Sequence, residues 1–245
     1  MKLAAFSAIC FLIAAGISSP ASGNSQKDTV KTSEDNLTIT FIGHGSLIFQ
    51  YGGKTIHVDP FGKLADYSSF PKADLILITH DHFDHLDADA IMEVSTDSTK
   101  VVLNEAAAAR LGRGLILANG DKKNIMGFSI EAVPAYNLVH MRSEGVPFHP
   151  KGNGNGYIIT FGDRRVYIAG DTENVPEMKA LKNIDIAFLP MNLPYTMTPE
   201  MVADAAKAFR PGILYPYHFG ETDTSKVIEL LKGSRDIEVR IRDMK

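Results

Sequence analysis

The sequence predicts an α/β domain, because strand-like runs alternate with helical segments along most of the chain. Two of these runs, residues 75–78 and 165–169, end in polar residues, as buried strands do where they lead into functional loops. With 245 residues and 44% hydrophobic composition, the chain is long enough to form one sizeable core as a single domain.

The first 36 residues precede this alternation and are predicted to lie outside the domain. Met1-Lys2, the apolar run 3–17 and a small-residue zone ending at Gly23 match a signal peptide over residues 1–23. Residues 24–36 are polar and lack periodicity, which favours a flexible spacer. We therefore expect a periplasmic or secreted protein, with no membrane span after signal cleavage, whose domain covers residues 37–245.

The domain is predicted to begin with three strands at residues 37–42, 46–51 and 54–58. The first turn between them, Gly43-His44-Gly45, lets the backbone approach whatever lies above it. His44 is therefore a candidate to face substrate or metal, although a structural histidine bonded to the backbone is the favoured alternative. Asp59 follows the third strand, where its carboxylate can accept hydrogen bonds from a neighbouring loop.

The rest of the chain continues the alternation. Helices are predicted at residues 86–94, 105–111, 174–182, 199–209 and 224–231, and strands at 75–78, 101–103, 115–118, 124–136, 156–161, 165–169, 184–189, 213–217 and 237–241. The helix at 199–209 is the best marked, with Thr198 as cap and Pro199 at its first position. Residues 137–155 show no pattern and are predicted to form a long functional loop.

The segment after the strand at 75–78 carries the clearest functional signal. Three of the eight histidines of the chain fall between His80 and His85, beside two aspartates. In an extended backbone His80 and His82 point the same way and can grip one cation, while Asp84 and His85 lie past a turn and can face a second. Neutral imidazole together with carboxylate suits zinc, and also manganese or iron.

This segment, His80-x-His82-x-Asp84-His85, resembles the signature of the metallo-β-lactamase-fold hydrolases. The resemblance is closest to the branch that includes the ascorbate-phosphate lactonases. Further motifs that carry it are Gly43-His44-Gly45, Asp59, Gly170-Asp171-Thr172 and His218. The resemblance implies a four-layer αββα sandwich and a site for two divalent metal ions, with Asp171 bridging them, His218 as a ligand and Asp59 supporting the metal loop.

One further ligand is less clear, because Asn137 stands where some relatives have histidine. His140 and His149 remain as candidates, and His149 is favoured because Pro150 and the glycines after it lead directly into the next strand. The expected arrangement is then one ion held by His80, His82 and His149, a second held by Asp84, His85 and His218, and Asp171 between them.

Two such ions would share a water and deliver hydroxide to an electrophilic carbonyl or phosphoryl group. The expected function is therefore hydrolysis of an ester-like bond in a small molecule: a lactone, an amide or a phosphodiester, with Asp84, Asp171 and Asp59 essential to catalysis. Lys151 and Arg142, on the long loop, are candidates to anchor an anionic group of the substrate, although solvated surface charges are the favoured alternative. Tyr195 is a further candidate for substrate binding, with core packing as the alternative.

Other classes are less favoured. A net charge of −4 provides no basic patch for nucleic acid. The single cysteine, Cys10, lies in the predicted signal peptide, so the mature chain would lack the cysteine ligand of the largest group of zinc β-lactamases. A non-catalytic metal-binding or sensor protein on the same fold remains the alternative function.

Overall fold

The computed structural model describes residues 25–245, which form two mixed β-sheets of seven strands each. The predicted signal peptide, residues 1–23, lies outside the described residues. The strands of the first sheet, in spatial as well as chain order, are β1 (Lys27–Lys31), β2 (Asn36–Gly43), β3 (Ser46–Tyr51), β4 (Lys54–Val58), β5 (Leu75–Leu77), β6 (Lys100–Leu103) and β7 (Leu115–Ile116).

The second half of the chain forms the other sheet. Its strands are β8 (Lys122–Ile125), β9 (Phe128–Pro134), β12 (Asn155–Phe161), β13 (Arg164–Ile168), β14 (Ile186–Pro190), β15 (Ile213–Tyr217) and β16 (Glu238–Val239). Their spatial order is β16-β15-β14-β13-β12-β9-β8. A separate hairpin of β10 (Met141–Ser143) and β11 (Val146–Pro147) is inserted between β9 and β12.

Helices cover the outer faces of both sheets. They are α1 (Ala88–Val94), α2 (Glu105–Leu111), α3 (Pro176–Lys179), α4 (Pro199–Phe209) and α5 (Ser225–Leu231), with one 3₁₀ turn at Tyr67–Ser69. The Thr198 hydroxyl accepts from the Met201 N–H and caps α4 as its sequence predicts. Within residues 25–245, no helix combines the length and apolar character needed to cross a bilayer.

Strand β5 shows why the first sheet is buried on both faces. Its alternate residues Leu75 and Leu77 pack in the core between the two sheets, whereas Ile76 and Ile78 pack against α1 and α2. A run of four apolar residues is what a strand covered on both faces requires. Aromatic pairs such as Phe49 and Phe161, with ring centroids 5.6 Å apart, join the sheets across that core. The predicted four-layer αββα sandwich is confirmed.

The topology brings several strand ends to one edge of the sandwich. Strands β4 to β7 run parallel, and so do β13 to β16. Carboxyl ends of parallel strands lie at the same edge of a sheet, which is where α/β folds bind ligands. The segments that follow β4, β5, β13 and β15 therefore meet there, and they carry Asp59, His80, Asp171 and His218.

The prediction of a flexible spacer over residues 24–36 is wrong for most of its described length. Lys27–Lys31 form the antiparallel edge strand β1, paired with β2. This strand is polar because an edge strand packs on one face only, and a buried ion pair holds it in place. The Asp28 carboxylate accepts from the Arg242 guanidinium at 2.7 Å and from the Tyr215 hydroxyl at 2.5 Å.

The prediction of an unpatterned loop at residues 137–155 is also only partly right. The hairpin of β10 and β11 occupies its middle, with Gly145 at φ +73° in the turn. Its strands of three and two residues are too short for an alternating hydrophobic pattern to reveal.

Candidate metal centre

The buried carboxylate of Asp59 holds the histidine loop, residues 79–85, in place through hydrogen bonds. Asp59 Oδ1 accepts the Thr79 backbone N–H at 2.8 Å, and Oδ2 accepts the Thr79 hydroxyl at 2.6 Å. Asp59 Oδ2 also lies 2.8 Å from Nδ1 of His85. With Nδ1–H donating to this carboxylate, Nε2 of His85 points away from Asp59 and toward another partner.

The second half of the chain brings its donors to the same place. The Asp171 carboxylate follows β13 and lies 3.3 Å from His149 Nε2 and 3.5 Å from His218 Nε2. The same carboxylate lies 3.5 Å from His85 Nε2 and 3.9 Å from His80 Nε2. Asp171 is therefore surrounded by four imidazoles contributed by both sheets.

All seven side chains proposed from the sequence as metal ligands converge. Their donor atoms form groups in which every atom lies within 4.8 Å of the others: His80 with His82 and His149, His80 with His85 and Asp171, and Asp84 with His85, His218 and His44. The first and last groups match the two ligand sets expected for two ions, and Asp171 lies at their junction.

The His44 side chain lies with Asp84, His85 and His218 rather than against the backbone. Its Nε2 is 3.0 Å from Asp84 Oδ2, and its ring centroid is 3.6 Å from that of His218. The turn that presents it is tight: His44 has φ +52°, and a Cβ on Gly45 would come within 2.9 Å of the His85 ring. Glycine at position 45 is thus required for the turn to pass this close to the histidine loop.

Four of the buried atoms that could bind a metal have no hydrogen-bond partner among the described residues: Nε2 of His80, His85 and His218, and Oδ1 of Asp171. A buried polar atom without a partner costs about 1 to 3 kcal/mol, so four in one place need an explanation. Imidazole nitrogens and carboxylate oxygens are ligands of zinc and related divalent cations. The residues present fit such ions.

Burial and neighbouring carboxylates shift the pKa values of these donors in different directions. Burial lowers the pKa of His218 to about 4, although Asp171 opposes this. Burial alone would also lower the pKa of His85, but the carboxylates of Asp171 and Asp59 outweigh it and raise that pKa to about 9. Burial raises and the hydrogen bond from His44 lowers the pKa of Asp84, with a net decrease to about 2. The Asp84 carboxylate is therefore ionised and available as a ligand at neutral pH.

Two predicted substrate-binding residues lie away from the donors. The Lys151 ammonium is 62% exposed and pairs with Glu177 at 2.8 Å. Tyr195 is 45% exposed and packs its ring on Phe148 at 5.0 Å, so it is not in the core either. The structure does not place Lys151 or Tyr195 in the wall of the cavity beside the donors.

His149 lies among the proposed metal ligands, whereas His140 lies beside Glu173. The His140 Nδ1 atom lies 2.8 Å from the buried carboxylate of Glu173. His149 is instead fixed by Asn137, whose Oδ1 accepts from His149 Nδ1 at 2.7 Å. Asn137 therefore does not replace a missing histidine ligand but orients one.

Glu173 is the supporting residue that the sequence analysis missed. Its carboxylate accepts the backbone N–H groups of Leu138, Val139 and His140 at 2.7 to 2.8 Å, and the side-chain amide of Asn137 at 3.1 Å. It is completely buried. The available signal was its position, two residues after Asp171 at the end of a buried strand.

A cavity of about 250 Å³ opens beside the donors. Its lining includes the metal donors His80, His82, His149 and Asp171. It also includes Arg142, Val146 and Pro147 of the hairpin, and Phe148, which follows the hairpin. Pockets for drug-sized ligands span about 300 to 1,000 Å³, so this cavity suits a small molecule or the reacting end of a longer one.

Fold and site together define a metallo-β-lactamase-type protein. Residues 38–218 match the model of the Beta-lactamase superfamily domain. Since the match covers well over half of the chain, the protein belongs to this superfamily.

Individual proteins similar to this chain include several named as metal-dependent hydrolases. A UPF0173 metal-dependent hydrolase of Thermococcus kodakarensis is 33% identical over 196 residues, which cover 75% of this chain and 84% of the relative. A crystal structure of a proposed metal-dependent hydrolase from Parabacteroides distasonis is 52% identical with a TM-score of 0.86, covering 90% of this chain and all of that one. Igni18, a metallo hydrolase from Ignicoccus hospitalis, is 26% identical with a TM-score of 0.70, covering 84% and 95% of the two chains.

Proposed function

We propose that the protein is a metal-dependent hydrolase that uses two divalent cations. The observation that carries this proposal is the convergence of unpartnered, buried imidazole nitrogens on the Asp171 carboxylate. His80, His82 and His149 would hold one ion, and Asp84, His85 and His218 the other, with Asp171 between them. Zinc suits this donor set best, and manganese or iron would also be accepted. Relatives named metal-dependent hydrolases support the assignment.

The proposed reaction is hydrolysis of an ester-like bond in a lactone, an amide or a phosphodiester. When bound, a pair of divalent cations supplies Lewis acidity and lowers the pKa of a coordinated water to about 7, so no protein nucleophile is needed. The side chains have supporting tasks: Asp59 keeps the His85 Nδ1 proton on the side away from the cavity, and Asn137 does the same for His149. His44 donates to Asp84 and holds that carboxylate in place.

A metal titration combined with a substrate panel tests the proposal. Purified protein should contain about two divalent ions per chain by elemental analysis, and it should hydrolyse at least one lactone, ester or phosphodiester in a metal-dependent manner. Asp84→Asn should abolish turnover while the circular dichroism spectrum stays unchanged. Two bound ions without hydrolysis across the panel would instead support the alternative of a metal-binding or sensor protein. Undiminished turnover in Asp84→Asn would refute the assigned site.

We also propose that the protein is exported, on the signal-peptide pattern of residues 1–23. Mass spectrometry of the protein isolated from a cell envelope fraction tests this. A mature chain starting shortly after Ala21 or Gly23 supports export, whereas a chain that retains Met1 in the cytosol contradicts it.

A further inference from the structure

We infer that the substrate carries an anionic group, a carboxylate or phosphate next to an apolar portion, and that Arg142 on the hairpin binds it. This inference rests on the proposed hydrolase function, and it adds the class of substrate. It starts from the lining of the cavity, which combines metal donors with a single guanidinium, that of Arg142.

The Arg142 guanidinium is free to bind a ligand. Within residues 25–245 it forms no ion pair and no hydrogen bond, and its one notable contact is with the face of the Phe148 ring, 5.9 Å from the ring centroid. By contrast, Arg242 binds Asp28, and Arg164 binds Asp185. A guanidinium stacked on an aromatic ring keeps its planar set of donors pointing away from the ring, which suits bidentate binding of carboxylate or phosphate.

The backbone that carries Arg142 is fixed even though the hairpin is exposed. On one side Glu173 binds three successive N–H groups up to His140, two residues before Arg142. On the other side the His149 backbone N–H donates to Asn137 Oδ1 at 2.9 Å, and the Asn137 N–H donates to the His149 carbonyl at 2.9 Å. The two ends of the segment are thus tied together by buried groups, so the guanidinium is presented to the cavity at low entropic cost.

The remaining lining of the cavity specifies the rest of the substrate. Val146, Pro147 and Phe148 form an apolar surface beside the guanidinium. Asp81 also lines the cavity from the histidine loop and forms no ion pair with Arg142. Its carboxylate repels an anion from that part, so an anionic group is directed to Arg142 while the scissile bond lies toward His80, His82 and Asp171.

Matched pairs of esters test the inference on the metal-loaded full chain. We expect para-nitrophenyl hydrogen glutarate to be hydrolysed with a kcat/KM about 10- to 100-fold above that of the neutral para-nitrophenyl pentanoate, since a charge-assisted hydrogen bond contributes in this range. Arg142→Gln should remove this preference, with the loss appearing as a higher KM for the anionic ester. Arg142→Lys should restore part of it. The control Arg235→Gln changes the same charge at an exposed arginine on the loop after α5, and it should behave as wild type.

Calorimetry separates this inference from the proposed function. Phenylbutyrate and phenylpropyl phosphate should each bind the metal-loaded protein at least about 10-fold more tightly than phenylbutyramide, and Arg142→Gln should abolish the difference. If the anions bind equally well to Arg142→Gln, they are held by the metals and the inference is wrong. If binding depends on Arg142 but no ester, lactone or phosphodiester of the panel is hydrolysed, Arg142 binds an anionic ligand and the proposed hydrolase function is contradicted.

Discussion

The two halves of the molecule build the metal centre in different ways. The first half supplies four of the proposed ligands from one six-residue segment, His80 to His85, at the end of β5. The second half supplies three, His149, Asp171 and His218, from segments separated by more than 20 residues of sequence. A dense cluster shows itself in the sequence, whereas a dispersed set exists only because parallel strands end at a common edge.

The supporting residues differ in the same manner. In the first half one carboxylate, that of Asp59, binds both Thr79 and His85 and so fixes the whole loop. In the second half each ligand has its own support, for example Asn137 for His149. Damage to the first half should therefore affect several ligands together, while damage to the second half should affect one ligand at a time. The exception is Asp171, which four of the imidazole groups share.

Of the three substitutions that compare the two halves, Asp171→Asn should have the largest effect. It removes the one carboxylate that lies within 3.9 Å of four imidazole Nε2 atoms. We expect turnover to fall at least about 1,000-fold, since metal stabilisation of a transition state amounts to several kcal/mol, and we expect the bound metal to drop below two ions per chain. Elemental analysis and steady-state kinetics measure both, with the exposed Asp97→Asn as control. Full metal content together with wild-type kcat would show that Asp171 bridges nothing.

Asp59→Asn should rank second and should expose the shared support of the first half. The amide preserves the size of the side chain but replaces one acceptor oxygen with a donor, facing Thr79 or His85. Loss of such a supporting partner typically lowers metal affinity or activity about 10- to 100-fold. Competition with a fluorescent zinc chelator measures the affinity of both sites. An affinity equal to that of the wild type would contradict the supporting role.

Asn137→Ala should have a smaller effect, confined to one ion. It removes the acceptor of His149 Nδ1, yet the hydrogen bond from the backbone N–H of residue 137 to the His149 carbonyl remains. We expect about a 10-fold loss of affinity at the site of His80, His82 and His149, with the other site unchanged. The same chelator titration resolves the two sites, and Asn174→Ala, which alters a surface asparagine bound to Asp204, serves as control. Equal weakening of both sites would show that the two halves are not independently supported.

The contrast between clustered and dispersed ligands explains which parts of the site could be predicted from the sequence. His80 to His85 were recognisable because three histidines beside two aspartates in one segment have no packing explanation. Asp171 and His218 could be found only through resemblance, since nothing local distinguishes an aspartate after a strand from a helix cap. Glu173 was missed although it lies two residues after Asp171, because the backbone N–H groups that it binds are more than 30 residues away.

The same distinction applies to the fold. Strands β3, β4 and β15 agree with the predicted boundaries because their apolar residues face a core. The polar edge strand β1 was missed, because its stability comes from the ion pair of Asp28 with Arg242, more than 200 residues away. The roles of Lys151 and Tyr195 in substrate binding stay predictions, and their observed partners, Glu177 and Phe148, are set by tertiary structure.

The smallest expected effect on activity concerns His57, a buried histidine of the first half that takes no part in the site. Its Nε2–H donates to the Pro71 carbonyl at 2.9 Å, and burial lowers its pKa to about 4. The unfolded chain, in which this pKa returns to about 6.5, binds more protons between these values, so the free energy of unfolding must fall as the pH drops from about 6.5 to 4. The loss from this residue amounts to about 3 kcal/mol.

His57→Gln retains an N–H donor but cannot take up the proton. The free energy of unfolding of this variant, measured by urea denaturation, should therefore depend less on pH by this amount, while turnover at neutral pH is largely kept. All other groups titrate in both proteins and cancel in the difference. Parallel stability curves for the two proteins would mean that folding does not lower the pKa of His57.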